Sequence, residues 1–542
     1  MGDVETAATG ELRSLNPSLG RDFVRLTDRV FVAAGYGMST FAFVVGDSGI
    51  VAVDAGSTPG ATTDAIAELR RHSELPIRDL ICTHHHFDHI LGAVALVAEN
   101  PGIEIWTHEP FANEVWRLAE VGKIALQRAF RQFGHLLPPE LHVNTGFASA
   151  AETRRFCLGD LPDPSIRATR QFSGSATVES GGLILALTHN PGETDDQLLV
   201  WFEEERVAFV GDNIYRSWPN LYAIRGTLYR DVRDWCESID RIRALQPHHL
   251  VLGHTLPISG AAEVDEALEV YSRGLWHVYN ATIEGMNAGR TPDELAREVR
   301  LPDDLADHPL LREYYGSVAW SVRAIFDGVL GWFDGNPTTL DPLHPAERAR
   351  RIAGLAGGAG VLLARARAAL AAGEAQWTAE LCDMLLALDF ETPEVTALKA
   401  DALDLDTATG RNYHHTCAQE LRESIKADGA IRWARGSIRG IVDSGLRRDN
   451  GERRDGEELP PRPARLGAGR SHGGGVQVRR HRHVALVAPG ADVGDQRGRV
   501  VVPPRRRHEV REHEVPYTGT RRQCTHRRCF RVVAGEPLDA VS

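Results

Sequence analysis

The stretch ICTHHHFDHILG, residues 81–92, places four histidines and one aspartate within six consecutive positions, directly after an apolar run. The letters DLICT at this point predict a strand, and the apolar residues that follow the cluster predict the start of a helix. Imidazole nitrogens and carboxylate oxygens are ligands that suit zinc. His84 with His86, and Asp88 with His89, can offer one pair of ligands to each of two adjacent metal ions. The stretch therefore predicts half of a metal site, in the loop that follows a strand.

The first half of the chain alternates between predicted strands and helices. Residues 24–56 contain three short β-rich runs separated by Gly-Tyr-Gly and by Gly-Asp-Ser-Gly, a pattern typical of consecutive antiparallel strands. Residues 62–72 follow with the spacing of a helix. This alternation indicates a layered α/β domain that ends near residue 265. Its further strands are predicted at 79–83, 103–108, 183–189, 198–203, 206–212 and 249–254.

The length of 542 residues exceeds what one hydrophobic core holds, since single cores stop growing near about 250 to 300 residues. After the α/β domain, apolar residues recur at helical spacing with Thr-Pro or Gly at the boundaries, which predicts an all-helical domain over 266–435. Residues 436–542 combine Arg, Gly and Pro without a periodic apolar face. This tail is expected to be disordered, or to be the out-of-frame translation of a GC-rich gene. Residues 1–24 form a polar N-terminal extension.

Charge and composition narrow the classes of partner. The net charge is −13, but residues from 441 onward carry 21 Arg, no Lys and 13 acidic residues, a charge of +8 that leaves −21 for residues 1–440. An acidic body argues against nucleic acid as a partner. The lack of an 18-residue apolar run argues against a membrane-spanning helix. Seven cysteines without paired spacing, and an N-terminus without an apolar secretory segment, predict a cytoplasmic protein with reduced thiols.

Three later residues could complete the metal site. Glu193 in NPGET, Asp212 in GDN and His254 in LGH each come directly after a strand-like run. Each residue alone is a weak signal, because a loop carboxylate is usually solvated and a single histidine after a strand seldom binds metal. Together, and in this order after the histidine cluster, they form a strong pattern.

These residues carry a resemblance to a known family. The motif His84-x-His86-x-Asp88-His89 resembles the metallo-β-lactamase superfamily, and Glu193 stands after Pro-Gly as in its alkyl sulfatase branch, where most of the superfamily has a histidine. The resemblance runs from about residue 25 to 425. It implies a metallo-β-lactamase αββα sandwich over 25–265, followed by an all-helical domain that forms a homodimer. The motifs that extend it are PNLYAIRG (219–226), YYGSV (314–318), GWFDGNPTTLDP (331–342) and RNYHHTCAQELR (411–422).

The resemblance also implies the chemistry. It predicts hydrolysis of a small amphiphilic alkyl or aryl sulfate ester to an alcohol and inorganic sulfate, with two zinc ions per chain. Asp212 falls where the family bridges both ions with a Glu, and Asp88 is counted among the catalytic residues as well as the ligands. The implied sets are His84, His86 and Glu193 for one ion, Asp88, His89 and His254 for the other, and Asn220, Tyr222 and Arg225 near the sulfate.

Two departures from the family leave alternatives open. Asp212 is a shorter bridge, and Trp320 stands where the family has a His that protonates the leaving alkoxide, a transfer that an indole does not perform. Tyr314 or Tyr315 could donate the proton instead, or the substrate could have a better leaving group. Another ester or thioester remains an alternative substrate, and a non-catalytic dimeric protein with a structural metal is a second alternative. Trp276 and Trp320 either line an apolar groove or pack in the core.

Overall fold

Two stacked β-sheets with helices on both outer faces are followed by a region built from helices. The predicted αββα sandwich and the helical region after it are therefore confirmed. The predicted tail, 436–542, lies outside the described residues, and the predicted N-terminal extension is described from residue 7 onward. The computed structural model describes residues 7–109, 111, 122–158, 167–405 and 410–426.

The first sheet carries the histidine-rich loop. Its first four strands pair antiparallel and the later ones pair parallel, in the order of the sequence. The strand Arg170–Phe172 was not predicted, because three residues with little burial give no period to detect. The strands are β1 (Asp22–Arg25), β2 (Val30–Ala34), β3 (Phe41–Val45), β4 (Ile50–Val53), β5 (Ile77–Ile81), β6 (Glu104–His108) and β7 (Arg170–Phe172).

The second sheet supplies the later residues of the predicted site. Its strands pair antiparallel except for one parallel pair, β11 with β12. In LILALTH, Leu183, Leu185 and Leu187 are buried while Ile184 is 65% exposed, which is the alternation of a strand with one covered face. The strands are β8 (Ser175–Ser180), β9 (Leu183–His189), β10 (Leu198–Phe202), β11 (Val207–Phe209), β12 (His249–Val251) and β13 (Ile258–Ser259).

The core between the sheets consists of aliphatic side chains from both, such as Val44 and Val53 against Leu185 and Val200. Residues that alternate with these face outward and are covered by helices, so that β3 is buried on both faces. Pro59–Leu69 covers the first sheet, and Val232–Ala244 and Ala261–Asn287 cover the second. The other helices of this half are Ala7–Ser14, Phe87–Ile90, Ala93–Glu99, Gly122–Gln132 and Ala150–Leu158, with short 3-10 turns at Asn16–Leu19 and Gly211–Asn213.

The helical region packs onto the sandwich through Val318–Leu330, whose buried face shares one core with Ala261–Asn287. Thr291 begins this region with a capping box to Glu294. The helices are Pro292–Glu298, Asp303–Ala306, Val318–Leu330, Pro337–Leu340, Pro345–Ala356, Ala359–Ala371, Ala375–Ala387, Pro393–Asp404 and Arg411–Lys426, with a 3-10 turn at Pro309–Leu311.

No single helix among the described residues has both the length and the hydropathy of a membrane span. Pro345–Ala356 and Ala359–Ala371 meet both requirements only as a pair, and the chain bends by 87° between the two.

Candidate metal centre and active site

The candidate ligands lie in loops that follow strands of both sheets. The histidine-rich loop follows β5 of the first sheet, and Glu193, Asp212 and His254 follow β9, β11 and β12 of the second. Backbone hydrogen bonds join these loops: the Leu198 N–H donates to the Thr83 carbonyl oxygen at 2.8 Å. The sandwich therefore brings together residues that are up to 170 positions apart in sequence.

A first group of ligand atoms is formed by His84, His86 and Asp212. Nε2 of His84 lies 3.0 Å from Nδ1 of His86 and 3.6 Å from Oδ2 of Asp212. Oε1 of Glu193, the third predicted member, lies 3.7 Å from Nδ1 of His86.

A second group is formed by Asp88, His89 and His254. Oδ2 of Asp88 lies 3.8 Å from Nε2 of His89 and 3.6 Å from Nε2 of His254. The carboxylate of Asp212 touches this group too, with Oδ1 at 3.2 Å from His89 Nε2 and Oδ2 at 3.3 Å from His254 Nε2. Asp212 thus stands between the two groups.

Both groups fit a metal ion. Four ligands at zinc bond lengths of about 2.0 to 2.2 Å lie about 3.3 to 3.6 Å from one another in a tetrahedron, close to the separations observed. Nε2 of His89 and Oδ1 of Asp212 are buried and lie 3.2 Å apart, but neither atom has a hydrogen bond of suitable geometry within the described residues. Buried polar atoms without partners are costly, and a cation would satisfy both.

The electrostatics of the two groups also favour a cation. Burial lowers the pKa of His84 and His86 well below the ordinary value, so that both imidazoles are neutral and free to act as ligands. Burial is the largest effect on His89 and His254 and acts to lower the pKa of both, but the nearby carboxylates of Asp212 and Asp88 together outweigh it, with Asp54 adding to the effect on His89, so the pKa of each histidine is raised. The same histidines hold the pKa of Asp212 well below its usual range, against the effect of burial.

Asp54, directly after β4, positions the histidine-rich loop. Its Oδ1 accepts a hydrogen bond from the Thr83 backbone N–H at 2.7 Å, and its Oδ2 lies 2.9 Å from Nδ1 of His89. This contact leaves Nε2 of His89 facing Asp212. Asp54 has a φ of +58°, a conformation that costs a residue other than glycine about 1 to 3 kcal/mol. Asp54 was not among the predicted site residues, although an aspartate directly after a buried strand was the available signal.

Similar contacts orient the neighbouring histidines. Nδ1 of His254 donates to the carbonyl oxygen of Met38 at 2.7 Å, which leaves its Nε2 with the lone pair that a ligand needs. Nδ1 of His85 lies 2.9 Å from Oδ1 of the buried Asp196. His85 is therefore held away from the ligand groups by its own partner.

Glu193 has strong partners besides His86. Nη2 of the buried Arg230 lies 2.6 Å from its Oε1, and the Tyr215 hydroxyl donates to its Oε2. Burial raises the pKa of Glu193, and the charges of Arg230 and Arg225 act in the opposite direction. Arg230 and Tyr215 were not predicted, because neither residue lies within the sequence motifs that resemble the family.

The structure brings some of the predicted substrate residues together and not others. Arg225 points to the site, with Nη2 at 3.9 Å from Oε1 of Glu193 and Nη1 at 3.4 Å from the Tyr315 hydroxyl. Asn220 is fully buried in the same segment, whereas Tyr222 is partly exposed. Tyr314 faces elsewhere: its hydroxyl lies 3.0 Å from the Ser14 hydroxyl, among leucines of the N-terminal helix.

The two predicted tryptophans occupy different places. Trp276 donates from its indole N–H to Asp240 at 2.8 Å and packs against Tyr279, remote from the predicted ligands in its contacts. Trp320 lines a small cavity together with Tyr315 and also lines a larger groove beside the site. Of the two roles left open for Trp320, the structure thus places it on a groove wall.

Two family descriptions match the chain in succession. Residues 35–254 match the metallo-beta-lactamase superfamily, and residues 291–424 match alkyl sulfatase dimerisation. The first match covers all the candidate ligands, from His84 to His254.

Individual relatives agree with these matches. A linear primary-alkylsulfatase from a Pseudomonas species is 34% identical over 401 residues, which cover 71% of this chain and 75% of the relative. An alkyl/aryl-sulfatase from Saccharomyces cerevisiae is 28% identical, over 76% of this chain and 67% of the relative. A solved structure of a double mutant of the secondary alkyl sulfatase PisA1 superimposes with a TM-score of 0.70 at 25% identity, covering 78% of this chain and 69% of that one.

Asp54→Asn is expected to weaken metal binding by about 10 to 100 fold, because the amide no longer fixes His89 as the carboxylate does. The affinity is measured by competition with a chromophoric chelator. Asp79→Asn is the matched control, since Asp79 is a buried aspartate on β5 that accepts a hydrogen bond from the Trp106 indole N–H at 2.9 Å. Unchanged affinity in Asp54→Asn, or an equal loss in both variants, would contradict a positioning role.

Proposed function

This chain belongs to the alkyl sulfatase family of the metallo-β-lactamase superfamily, and we propose that it hydrolyses alkyl or aryl sulfate esters to an alcohol and inorganic sulfate. The guanidinium groups of the partly buried Arg225 and the buried Arg230 lie beside two groups of candidate ligands that both contact Asp212, and this arrangement supports the proposal. Metals and guanidinium groups together suit an anionic ester, because both stabilise negative charge on its oxygens.

We further propose that the metal is zinc and that each chain holds two ions. His84, His86 and Glu193 would hold one ion, Asp88, His89 and His254 the other, and Asp212 would contact both. Imidazole and carboxylate ligands without cysteine are typical of catalytic rather than structural zinc. When bound, zinc supplies Lewis acidity that lowers the pKa of water and offsets charge on the substrate.

The residues of the chain would bind and orient the sulfate group. The planar guanidinium of Arg225 can donate two parallel hydrogen bonds to sulfate oxygens. Arg230 adds a second positive charge within reach of the same oxygens, because both arginines approach Oε1 of Glu193. Asn220 is buried next to these groups and can donate from its side-chain amide.

Tyr315 is the proposed proton donor to the leaving oxygen. Burial raises the pKa of Tyr315 to about 12, so its hydroxyl keeps its proton at neutral pH. The hydroxyl lies 3.4 Å from Nη1 of Arg225, which places it beside the proposed sulfate position. Tyr314 is the poorer candidate of the two, because its hydroxyl is turned toward Ser14.

Purified protein supplied with zinc is expected to hold about two zinc ions per chain and to release inorganic sulfate from dodecyl sulfate. His86→Ala should lose both metal and turnover, since a ligand is removed. His277→Ala is the control, because His277 lies on the helix Ala261–Asn287 and its Nε2 contacts the Arg300 carbonyl oxygen at 2.9 Å. Metal content is measured by elemental analysis and turnover by sulfate release.

The same assay separates the alternatives. Consumption of an acyl thioester without sulfate release would favour a thioesterase. Bound metal without turnover of either substrate would favour a non-catalytic binding protein. Turnover of dodecyl sulfate by protein that contains no transition metal would contradict the proposed metal site.

Tyr315→Phe is expected to lower kcat/KM for decyl sulfate by about 10² to 10⁴ fold, the usual contribution of a general acid. The loss for 4-nitrophenyl sulfate should be much smaller, because an aryl oxide leaves with little help from a proton. Tyr314→Phe is the matched control and should change neither value. An equal loss for both esters would mean that Tyr315 binds sulfate rather than donating a proton.

A homodimer is proposed from the match to alkyl sulfatase dimerisation. An apolar stretch supports the dimer. From the end of the helix Val318–Leu330 to the start of Pro345–Ala356, several large apolar side chains are exposed, which is typical of a protein interface. Trp332 is 69% exposed. The full set is Val329, Leu330, Trp332, Leu340 and Leu343.

Trp332→Glu combined with Leu340→Glu is expected to raise the dimer Kd on the order of 100 fold, because buried aromatic anchors carry much of an interface's energy. Sedimentation velocity over a range of concentrations measures the change. Ile184→Glu, an equally polar change at an exposed site on β9, should leave the dimer intact. A double variant that sediments as the native protein does would exclude this stretch from the interface.

The cytoplasmic location stays a prediction. It is supported by the free thiols of Cys82, Cys236, Cys382 and Cys417, which form no disulfide in the described part of the chain.

A further inference from the structure

Two cavities lie side by side next to the metal ligands. The first, of about 280 Å³, is lined by His86 and Glu193. The second is a groove of about 450 Å³ between the sandwich and the helix Val318–Leu330. Both cavities are lined by the four-residue strip 227–230, so they adjoin along this strip. Arg230, at the end of the strip, contacts Glu193 and thus connects the strip to the site.

The groove has the chemistry of a site for an apolar group. The segment that carries Asn220 and Arg225 turns its other side chains, Leu221, Tyr222 and Ile224, into the groove. One short segment therefore serves both the proposed sulfate position and the groove beside it. The remaining apolar walls are Leu228, Tyr229, Trp320 and Ala324.

The helix Val318–Leu330 forms the opposite wall along its length. Its groove-lining residues are Trp320, Arg323, Ala324 and Asp327, which share one helical face. From Trp320 to Asp327 this face extends about 10 Å, at about 1.5 Å per residue. The Trp320 end is the one near Tyr315, because both residues also line the small cavity.

At the Asp327 end, the ring of Tyr229 rests on Gly328. A Cβ at position 328 would lie 2.0 Å from two carbons of that ring, so no other residue fits there while the ring keeps its place. The residue Tyr229 is also 48% exposed, so it is open to a ligand as well as packed against the helix. Gly328 lies inside a helix, where glycine is less favourable than alanine. The close approach of Tyr229 gives a physical reason for its presence.

We propose that Tyr229, seated on Gly328, is a specificity-determining residue that limits the size of the organic group that the ester can carry. This inference rests on the proposed function and deepens it. The sulfate would lie at Arg225 and Arg230, and the organic group would enter the groove along Trp320 toward Tyr229. A longer or bulkier group meets the Tyr229 ring, whereas a short one does not reach it.

The test compares kcat/KM for hexyl and decyl sulfate, both monomeric in solution at the concentrations used. Tyr229→Ala should raise the decyl-to-hexyl ratio on the order of 10 fold, the effect of a few methylene contacts in an apolar pocket. Most of this change should appear in KM, because the groove binds a part of the substrate that does not react. Tyr229→Phe keeps the ring and should leave the ratio within about 2 fold of native.

Gly328→Ala tests the contact between Tyr229 and Gly328 by changing the helix instead of the ring. The added methyl group must displace the Tyr229 ring into the groove, so the decyl-to-hexyl ratio should fall. The double variant Gly328→Ala with Tyr229→Ala should behave as Tyr229→Ala alone, because the methyl group then has no ring to displace. Circular dichroism confirms that each variant is folded.

The outcomes separate this inference from the proposed function. If the native protein releases sulfate from neither ester, the proposed function fails before any variant is compared. If native protein and Tyr229→Ala both release sulfate with the same decyl-to-hexyl ratio, the function stands and the inference is overturned. A Tyr229→Phe variant with the altered ratio of Tyr229→Ala would overturn it as well, since the ring would then not be the limiting group.

Discussion

The carboxylate of Asp212 lies within 3.2 to 3.6 Å of ring nitrogens of His84, His89 and His254. Two of these histidines follow a strand of the first sheet and one follows a strand of the second, so the contacts of Asp212 depend on how the two sheets stack. The aliphatic core between the sheets fixes that stacking. A charge buried this deeply is costly without compensation, which makes a cation on each side of Asp212 the natural counterpart.

The contacts around the ligands follow from the same constraint. Asp54 and Met38 engage the Nδ1 atoms of His89 and His254, and both leave Nε2 directed toward Asp212. Arg230 and Arg225 then balance the remaining negative charge at Glu193. The site is therefore a charge-compensated cluster. Metal ions on one side and guanidinium groups on the other would offset the negative charge of its acidic ligands. The guanidinium side is where an anionic ester can bind.

Much of the fold and site could be predicted because the decisive residues form a local pattern. The histidine cluster, the alternation of β9 and the helical spacing after residue 260 all lie within short windows of sequence. Tyr215 and Arg230 could not be predicted in this way, since they meet the ligands only through tertiary packing, and the position of Asp54 after a strand does not by itself reveal its contact with His89. Tyr314 and Tyr315 show the same limit: adjacent in sequence, they point to Ser14 and to Arg225. Only the backbone path after the 3-10 turn Pro309–Leu311 distinguishes them.

We propose that Asp212 stands between two zinc ions. Anomalous diffraction recorded at the zinc absorption edge, from crystals grown with zinc, would locate them. Two peaks are expected about 3.5 to 4 Å apart, one beside His84 and His86 and the other beside His89 and His254, with the Asp212 carboxylate between them. A single peak, or peaks remote from Asp212, would contradict it.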